Sequence, residues 1–196
     1  MRNSFPFLLA RSLSFPIYRL RASGVETLPA TGFLLVSNHV TYLDSIVIQA
    51  ALKRPIRFLV HESIYRVNYL TPILKTFGVI PISTTRAKAA LRAAATVIEA
   101  GEVVCVFPEG ELNRSRDPLI SFQPGFELIA SLAKCLTVPV WIAGLRGSIY
   151  LRQYGHRQKK HLISPVTVAF GKPIDCLDAK AANLREKLLL LREQTV

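Results

Sequence analysis

A histidine and an aspartate stand close together after an apolar run of this chain. His39 and Asp44 are separated by four residues and follow residues 33–36, an apolar stretch that predicts a buried strand. At a strand-to-helix junction, a carboxylate can hold one imidazole nitrogen while the other nitrogen takes a proton from a hydroxyl. The pair therefore indicates general-base catalysis. In isolation, the same residues also fit a loop histidine and a helix-start acid that the helix dipole favours.

A second polar cluster follows another apolar run, residues 103–107. Pro108, Glu109 and Gly110 come next, and Arg114 lies four residues beyond that glycine. A Glu-Gly turn at a strand end exposes a carboxylate and backbone amides together. An arginine nearby can meet a phosphate with a planar fork of donors. The alternative is a polar turn with a surface arginine.

Alternating strand and helix patterns explain how the two clusters could meet. Apolar, β-branched runs bounded by Pro or Gly predict strands at 33–36, 56–60, 79–82, 103–107, 138–143 and 166–170. Helical spacing predicts helices at 86–100, 125–136 and 179–192, the first ending before Gly101. The pattern favours an α/β domain with a largely parallel central sheet flanked by helices. Both clusters should then lie at the carboxyl edge of that sheet.

Four motifs in this order resemble the glycerolipid acyltransferases, which include the 1-acylglycerol-3-phosphate and lysophospholipid acyltransferases. They are N-H-x-x-x-x-D at 38–44, G-V-I-P-I at 78–82, F-P-E-G at 107–110 and V-P-V at 138–140. The resemblance extends from about residue 18 to residue 171. It implies acyl transfer from acyl-CoA or acyl carrier protein to the free glycerol hydroxyl of a lysophospholipid, either lysophosphatidate or lysophosphatidylethanolamine.

The resemblance also implies roles for individual residues. His39 would be the general base and Asp44 would orient it, while Glu109, Gly110 and Arg114 would hold the polar head of the acceptor. No cofactor and no metal are expected. The alternative is a catalytically silent lipid-binding module on the same scaffold.

Two positions depart from the family pattern. Thr84 and Leu112 stand where the family commonly has arginines, although Arg86 and Arg114 lie two residues further on in each case. This variant looks most like the acyltransferase domains that bacteria fuse to lysophospholipid transporters and acyl-activating enzymes.

The charge of the chain favours an anionic partner. Its formal net charge is +12, and seven basic residues but no acidic one lie between Glu127 and Asp175. No nucleic-acid recognition module is recognisable, and basic residues beside Phe and Leu suit an anionic membrane surface better. We therefore expect a peripheral or monotopic protein at the cytoplasmic face of a membrane.

Two segments are candidates for contact with lipid. Residues 1–30 are interpreted as an N-terminal helical interfacial segment, kinked at Pro16, before an acyltransferase domain at 31–196; a helix docked on that domain is the alternative. Residues 69–79 could line an acyl groove, lie against lipid or belong to the core.

Overall fold

The computed structural model describes residues 5–14, 18–145 and 164–195. The strands are β1 (Tyr18–Ser23), β2 (Phe33–Ser37), β3 (Ile56–His61), β4 (Ile80–Ile82), β5 (Val103–Val106), β6 (Thr137–Ala143) and β7 (Ser164–Phe170). The α-helices are α1 (Phe5–Ser14), α2 (Asp44–Ala51), α3 (Glu62–Tyr65), α4 (Thr71–Thr76), α5 (Ala87–Glu99), α6 (Gly125–Ala133) and α7 (Ala181–Glu193). The six strands and three helices predicted from the sequence are all present.

The described strands form one sheet in the order β1-β7-β6-β2-β5-β3-β4. Strands β2 to β6 run parallel to one another, and β7 pairs antiparallel with β6. Strand β1 pairs parallel with β7 and so shares its reversed direction. The predicted α/β class with a largely parallel sheet is confirmed.

Apolar side chains cover both faces of the sheet centre. In β2, Phe33 and Leu35 pack into one core cluster, whereas Leu34 and Val36 pack into the other. Helix α2 lies over the first face, and α5, α6 and α7 lie over the second. A strand buried on both faces has no polar side, which explains why β2 and β5 are continuous apolar runs in the sequence.

Strand β1 corrects the helical interpretation of residues 1–30. Phe5–Ser14 forms an α-helix, but Tyr18–Ser23 joins the sheet and Val25–Thr27 forms a single 3-10 turn. Tyr18 is buried and Leu20 packs partly against the core, while Arg19 is exposed. This alternation with a period of two is the strand signal that the basic, apolar composition of the segment concealed.

Helix α1 docks on the domain. It packs against α2 with Ala10 fully buried, while Leu8 on the same helix is 58% exposed. Contact of this segment with a membrane stays a prediction. Within the described part of the chain, no helix combines the length and apolar character required to cross a bilayer.

Two helix ends illustrate how backbone conformation sets element boundaries. Helix α5 ends before Gly101, as predicted; this glycine has φ of +87° and its N–H donates to Ile98 O at 2.8 Å. Helix α6 ends at Ala133 rather than at residue 136, because Lys134 adopts a left-handed conformation with φ of +46°. Nothing in the residue type of a lysine predicts that conformation.

Candidate active site

The two polar clusters meet at the carboxyl edge of the sheet, as predicted. Strand β2 ends at Ser37 and its parallel neighbour β5 ends at Val106, so the segments that follow leave the sheet side by side. His39 belongs to the first segment and Glu109 to the second. They are in direct contact, because the backbone N–H of His39 donates to Oε1 of Glu109 at 2.8 Å.

His39 and Asp44 form the pair that their spacing suggested. Nδ1 of His39 lies 2.8 Å from Oδ2 of Asp44. Asp44 is the first residue of α2 and is fully buried, whereas the His39 side chain is 18% exposed. The carboxylate is thus held inside the protein and the imidazole is accessible from outside.

Asp44 is fixed by a dense set of hydrogen bonds. Its Oδ2 also accepts from the backbone N–H of Val40 at 2.7 Å and of Thr41 at 3.0 Å, and its Oδ1 accepts from the Thr41 hydroxyl at 2.7 Å. The Thr41 hydroxyl in turn accepts from the N–H of Leu43 at 3.1 Å. Thr41 and Asp44 thus bond to each other through both backbone and side chain, although the Thr41 hydroxyl accepts from Leu43 rather than from Asp44 as it would in a capping box. These contacts and the helix dipole stabilise a buried carboxylate at the start of a helix.

The hydrogen bond to Asp44 assigns the tautomer of His39. An ionised carboxylate can only accept, so Nδ1 must carry a proton. In the neutral imidazole Nε2 is then unprotonated and can accept a proton from a substrate. The arrangement therefore fits a general base oriented by a carboxylate.

The loop after β5 forms hydrogen bonds with both the N–H and the carbonyl of His39. Glu109 accepts from the His39 N–H, and the carbonyl of His39 accepts from the N–H of Asn113 at 2.7 Å. The imidazole stacks on the ring of Phe107, with centroids 4.0 Å apart and planes inclined by 15°. Three contacts from one loop thus fix the position and the plane of the imidazole.

Asn38 ties the same segment to the other neighbour of β2. Its side-chain amide donates to Ile142 O at 3.1 Å, and its side-chain oxygen accepts from Ile142 N–H at 2.8 Å. Ile142 belongs to β6, and Asn38 is 1% exposed. Asn38 therefore anchors the residue before His39 to the sheet.

The residues expected to bind the acceptor occupy different environments. Glu109 is 3% exposed, and its second oxygen accepts from the N–H of Ile120 at 3.2 Å. Gly110 is exposed with φ of +72°, a conformation that glycine adopts without strain. Arg114 is exposed on the same loop, immediately after Asn113. The two positions that depart from the family pattern also differ, since Thr84 is exposed and Leu112 is half-buried.

The cysteine nearest to this site is unsuited to nucleophilic chemistry. Cys105 lies on β5 and is fully buried. Burial raises the pKa of its thiol strongly, and the negative charge of Asp44 raises it further. The nucleophilic form of cysteine is the thiolate, so Cys105 is a packing residue.

Two residues of the site were not predicted. Thr41 and Asn113 have defined contacts that no prediction assigned; the T-x-x-D spacing of Thr41 and Asp44 is a capping-box signal that could have found the first. The basic residues Arg152, Arg157, Lys159 and Lys160, with His156 and His161, lie outside the described residues. Among the residues that the structure does describe, no cluster of three or more His, Cys, Asp or Glu could hold a metal.

The fold and the site together define an α/β protein with a buried carboxylate, an accessible histidine and a polar loop at one sheet edge. Residues 19–143 match the family model described as Acyltransferase, and the chain belongs to this family. The match covers β2 through β6 and includes every residue of the site described above.

The proteins similar to this chain include one relative found by sequence and one found by structure. A 1-acyl-sn-glycerol-3-phosphate acyltransferase from Borreliella burgdorferi is 25% identical over 103 residues, which cover 50% of this chain and 41% of the relative. This chain thus matches less than half the length of that curated relative. The crystal structure of the 1-acyl-sn-glycerophosphate (LPA) acyltransferase PlsC from Thermotoga maritima superposes with a TM-score of 0.72 at 21% identity, covering 98% of this chain and 76% of the other. This likeness supports the fold.

Proposed function

We propose that this chain transfers a fatty acyl group from a thioester donor, acyl-CoA or acyl carrier protein, to the free glycerol hydroxyl of a lysophospholipid. The candidate acceptors are lysophosphatidate and lysophosphatidylethanolamine. The observation that carries the proposal is the contact of 2.8 Å between Nδ1 of His39 and Oδ2 of Asp44, with the imidazole accessible and the carboxylate buried. Membership of the acyltransferase family and the name of the Borreliella relative support the same reaction.

In the proposed step, Nε2 of His39 takes the proton of the glycerol hydroxyl while the hydroxyl oxygen bonds to the thioester carbonyl carbon. The carbon–sulfur bond then breaks, and the departing sulfur receives the proton from Nε2. The products are a phospholipid ester and a free thiol, so protons and electrons balance without a further reactant. Asp44 stabilises the transient imidazolium and keeps the ring oriented.

The loop after β5 has two roles in this proposal. Glu109 holds the backbone of His39, so it acts on the acceptor through the base rather than by touching the head group. Gly110 and Arg114 are exposed, and Arg114 offers a planar fork of donors to a phosphate. We assign recognition of the acceptor phosphate to Arg114.

The substrates suggest where the protein works. A lysophospholipid acceptor partitions into membranes, and the net charge of +12 favours an anionic lipid surface. We propose peripheral association with the cytoplasmic face of a membrane. The described cysteines, Cys105, Cys135 and Cys176, are free thiols, which suits a reducing compartment.

The test is acyl transfer by the purified full chain, with radiolabelled acyl-CoA or acyl carrier protein and a panel of lysophospholipids. We expect His39→Ala to reduce kcat about 10²–10⁴-fold, the range for loss of a general base. His61 offers a matched control, because it ends strand β3 at the same edge of the sheet but its Nδ1 contacts the Ser63 hydroxyl instead of a carboxylate. His61→Ala should keep wild-type kcat.

Two outcomes would contradict the proposal. If His39→Ala transfers acyl groups as fast as the wild type, His39 is not the base. If the wild type is inert with every donor and acceptor while it still binds lipid, the chain is the silent lipid-binding module instead.

A further inference from the structure

One stretch of the chain stands out because it is apolar yet unburied. No residue from position 59 to position 89 is buried, although the stretch includes β4, α3 and α4 and much of it is apolar. Neither α3 nor α4 contains a buried residue, and α4 packs extensively against no other described helix or strand. The apolar residues of β3 and β4 pack partly against the core, so the exposed apolar surface is that of the turn before α4 and of α4 itself. A folded protein seldom leaves an exposed apolar patch unless something covers it.

Two large apolar side chains are the most exposed on this surface. Tyr69, in the turn before α4, is 79% exposed, and Ile73, in the first turn of α4, is 51% exposed. We call residues 62–76, from α3 to the end of α4, the α3–α4 face. Residues 69–79 were expected to line a groove, lie against lipid or join the core; no residue among them is buried, so the core assignment is wrong.

Apart from Glu62, the charged residues on and near the α3–α4 face are basic. Five basic residues and no acidic residue lie between Glu62 and Glu99 in the sequence; they are Arg66, Lys75, Arg86, Lys88 and Arg92. All five are exposed. Glu62 itself pairs with Arg66 and is also influenced by Arg86, which together lower the pKa of its carboxyl group. Exposed apolar side chains among an excess of cations match an anionic lipid surface.

The position of the face connects it to the proposed reaction. Strand β3 runs parallel to β5 and β5 runs parallel to β2, so α3 leaves the sheet at the same carboxyl edge as His39. A protein that lies on a bilayer by this face would bring its catalytic edge toward the layer in which lysophospholipids reside.

We propose that the α3–α4 face is the membrane-contact surface of this protein, with Tyr69 and Ile73 inserted among the lipids and Lys75, Arg86 and Lys88 at the anionic head groups. The inference rests on the proposed function for its purpose, since a lysophospholipid acceptor gives the enzyme a reason to face a bilayer. Membrane binding alone tests the face, so the face and the acyltransferase function can fail separately.

The experiment places a fluorescent reporter on the face. Trp141 is the one tryptophan of the chain and is only 6% exposed, so it contributes a nearly constant background. Full-length Tyr69→Trp is compared with Leu177→Trp, whose native side chain is also 79% exposed but lies between β7 and α7. Both are mixed with phosphatidylcholine vesicles that contain or lack phosphatidylglycerol.

We expect the emission of Tyr69→Trp to shift to shorter wavelength with anionic vesicles and to be quenched by brominated lipid. Leu177→Trp should show neither effect. The double variant K75E/K88E should bind anionic vesicles roughly thirtyfold or more weakly, since each basic residue near such a surface favours binding about fivefold. Lys187→Glu, on the exposed side of α7, should bind like the wild type.

Three results separate this inference from the proposed function. Insertion of Tyr69→Trp by a protein that transfers no acyl group would support the face while refuting the enzyme. Acyl transfer without any fluorescence change would overturn the face and leave the enzyme intact. A shift produced by monomeric acyl-CoA but not by vesicles would also overturn it, because the face would then be an acyl groove.

Discussion

The substitution Glu109→Gln keeps the length of the side chain and separates two roles for it: support of the base and direct binding of the acceptor. In the structure the two carboxylate oxygens accept from backbone N–H groups, His39 at 2.8 Å and Ile120 at 3.2 Å, and the residue is 3% exposed. A glutamine fits the same space but offers one acceptor oxygen and one NH₂ donor. The backbone N–H of either His39 or Ile120 would therefore face the NH₂ group of the glutamine, which is also a donor.

The size of the effect follows from that mismatch. A buried donor without an acceptor costs about 1–3 kcal/mol, so we expect the free energy of unfolding to fall by this amount. Since a displacement of order 1 Å at a catalytic group can cost about 10²-fold in rate, kcat should fall by roughly 10–100-fold if the His39 backbone relaxes. KM for the lysophospholipid should change little, because Glu109 does not reach the surface.

The assay combines urea unfolding with steady-state kinetics on a lysophosphatidate acceptor. Glu111→Gln is the matched control: the residue is exposed on the same loop, two positions away, and should behave like the wild type in both measurements. A rise in KM for Glu109→Gln, with kcat retained and stability changed by less than about 0.5 kcal/mol as for surface substitutions, would refute the reasoning and restore a direct role in acceptor binding.

Three further substitutions test the catalytic pair, a buried cysteine and an arginine that bonds to the chain after the Glu109 loop. Asp44→Asn should lower kcat about 10²–10⁴-fold at nearly constant KM, because a neutral amide no longer stabilises the imidazolium that His39 becomes when it takes the proton; an unchanged kcat would contradict the assignment. Burial raises the pKa of Cys135 to about 11 from 9.0, so the unfolded chain loses the thiol proton first and stability should fall as pH rises through this interval. Urea unfolding below and within the interval should show a shallower fall for Cys135→Ala than for the wild type. Arg185 donates to Leu119 O at 3.0 Å and to Ile120 O at 2.8 Å. For Arg185→Met we therefore expect the free energy of unfolding to fall by about 1–3 kcal/mol and kcat to fall as well. The control Arg192→Met replaces an exposed arginine and should change neither quantity.

The strands of the sheet centre were predictable because burial on both faces leaves a continuous apolar run. Strand β2 has no exposed residue, and its sequence contains only apolar residues before Ser37. Strand β1 was not predictable in the same way. It lies at the sheet edge, pairs on one side only, and alternates arginine with apolar residues, so its composition resembled an interfacial helix.

The pairing of His39 with Asp44 could be predicted from spacing at a strand end, but the role of Glu109 could not. A Glu-Gly turn after a strand indicates a carboxylate near the site, and it gives no information about which way that carboxylate points. The structure turns it inward, onto two backbone N–H groups contributed by His39 and Ile120. Backbone donors carry no signature in a sequence, because every residue except proline has one.

The base is held by segments that are distant in the chain, and this constrains how the site can tolerate change. Asn38 bonds to Ile142 across 104 residues, and His39 bonds to Glu109 across 70. Both contacts cross from β2 to its two sheet neighbours, so the position of the imidazole depends on the register of three parallel strands. A slip of one residue in either pairing would turn every side chain of that strand to the opposite face and remove the partner. Apolar packing inside the sheet, which fixes that register, is therefore part of the catalytic apparatus. Substitutions in β2, β5 or β6 should lower kcat to the extent that they loosen this packing, even where they lie far from the substrate.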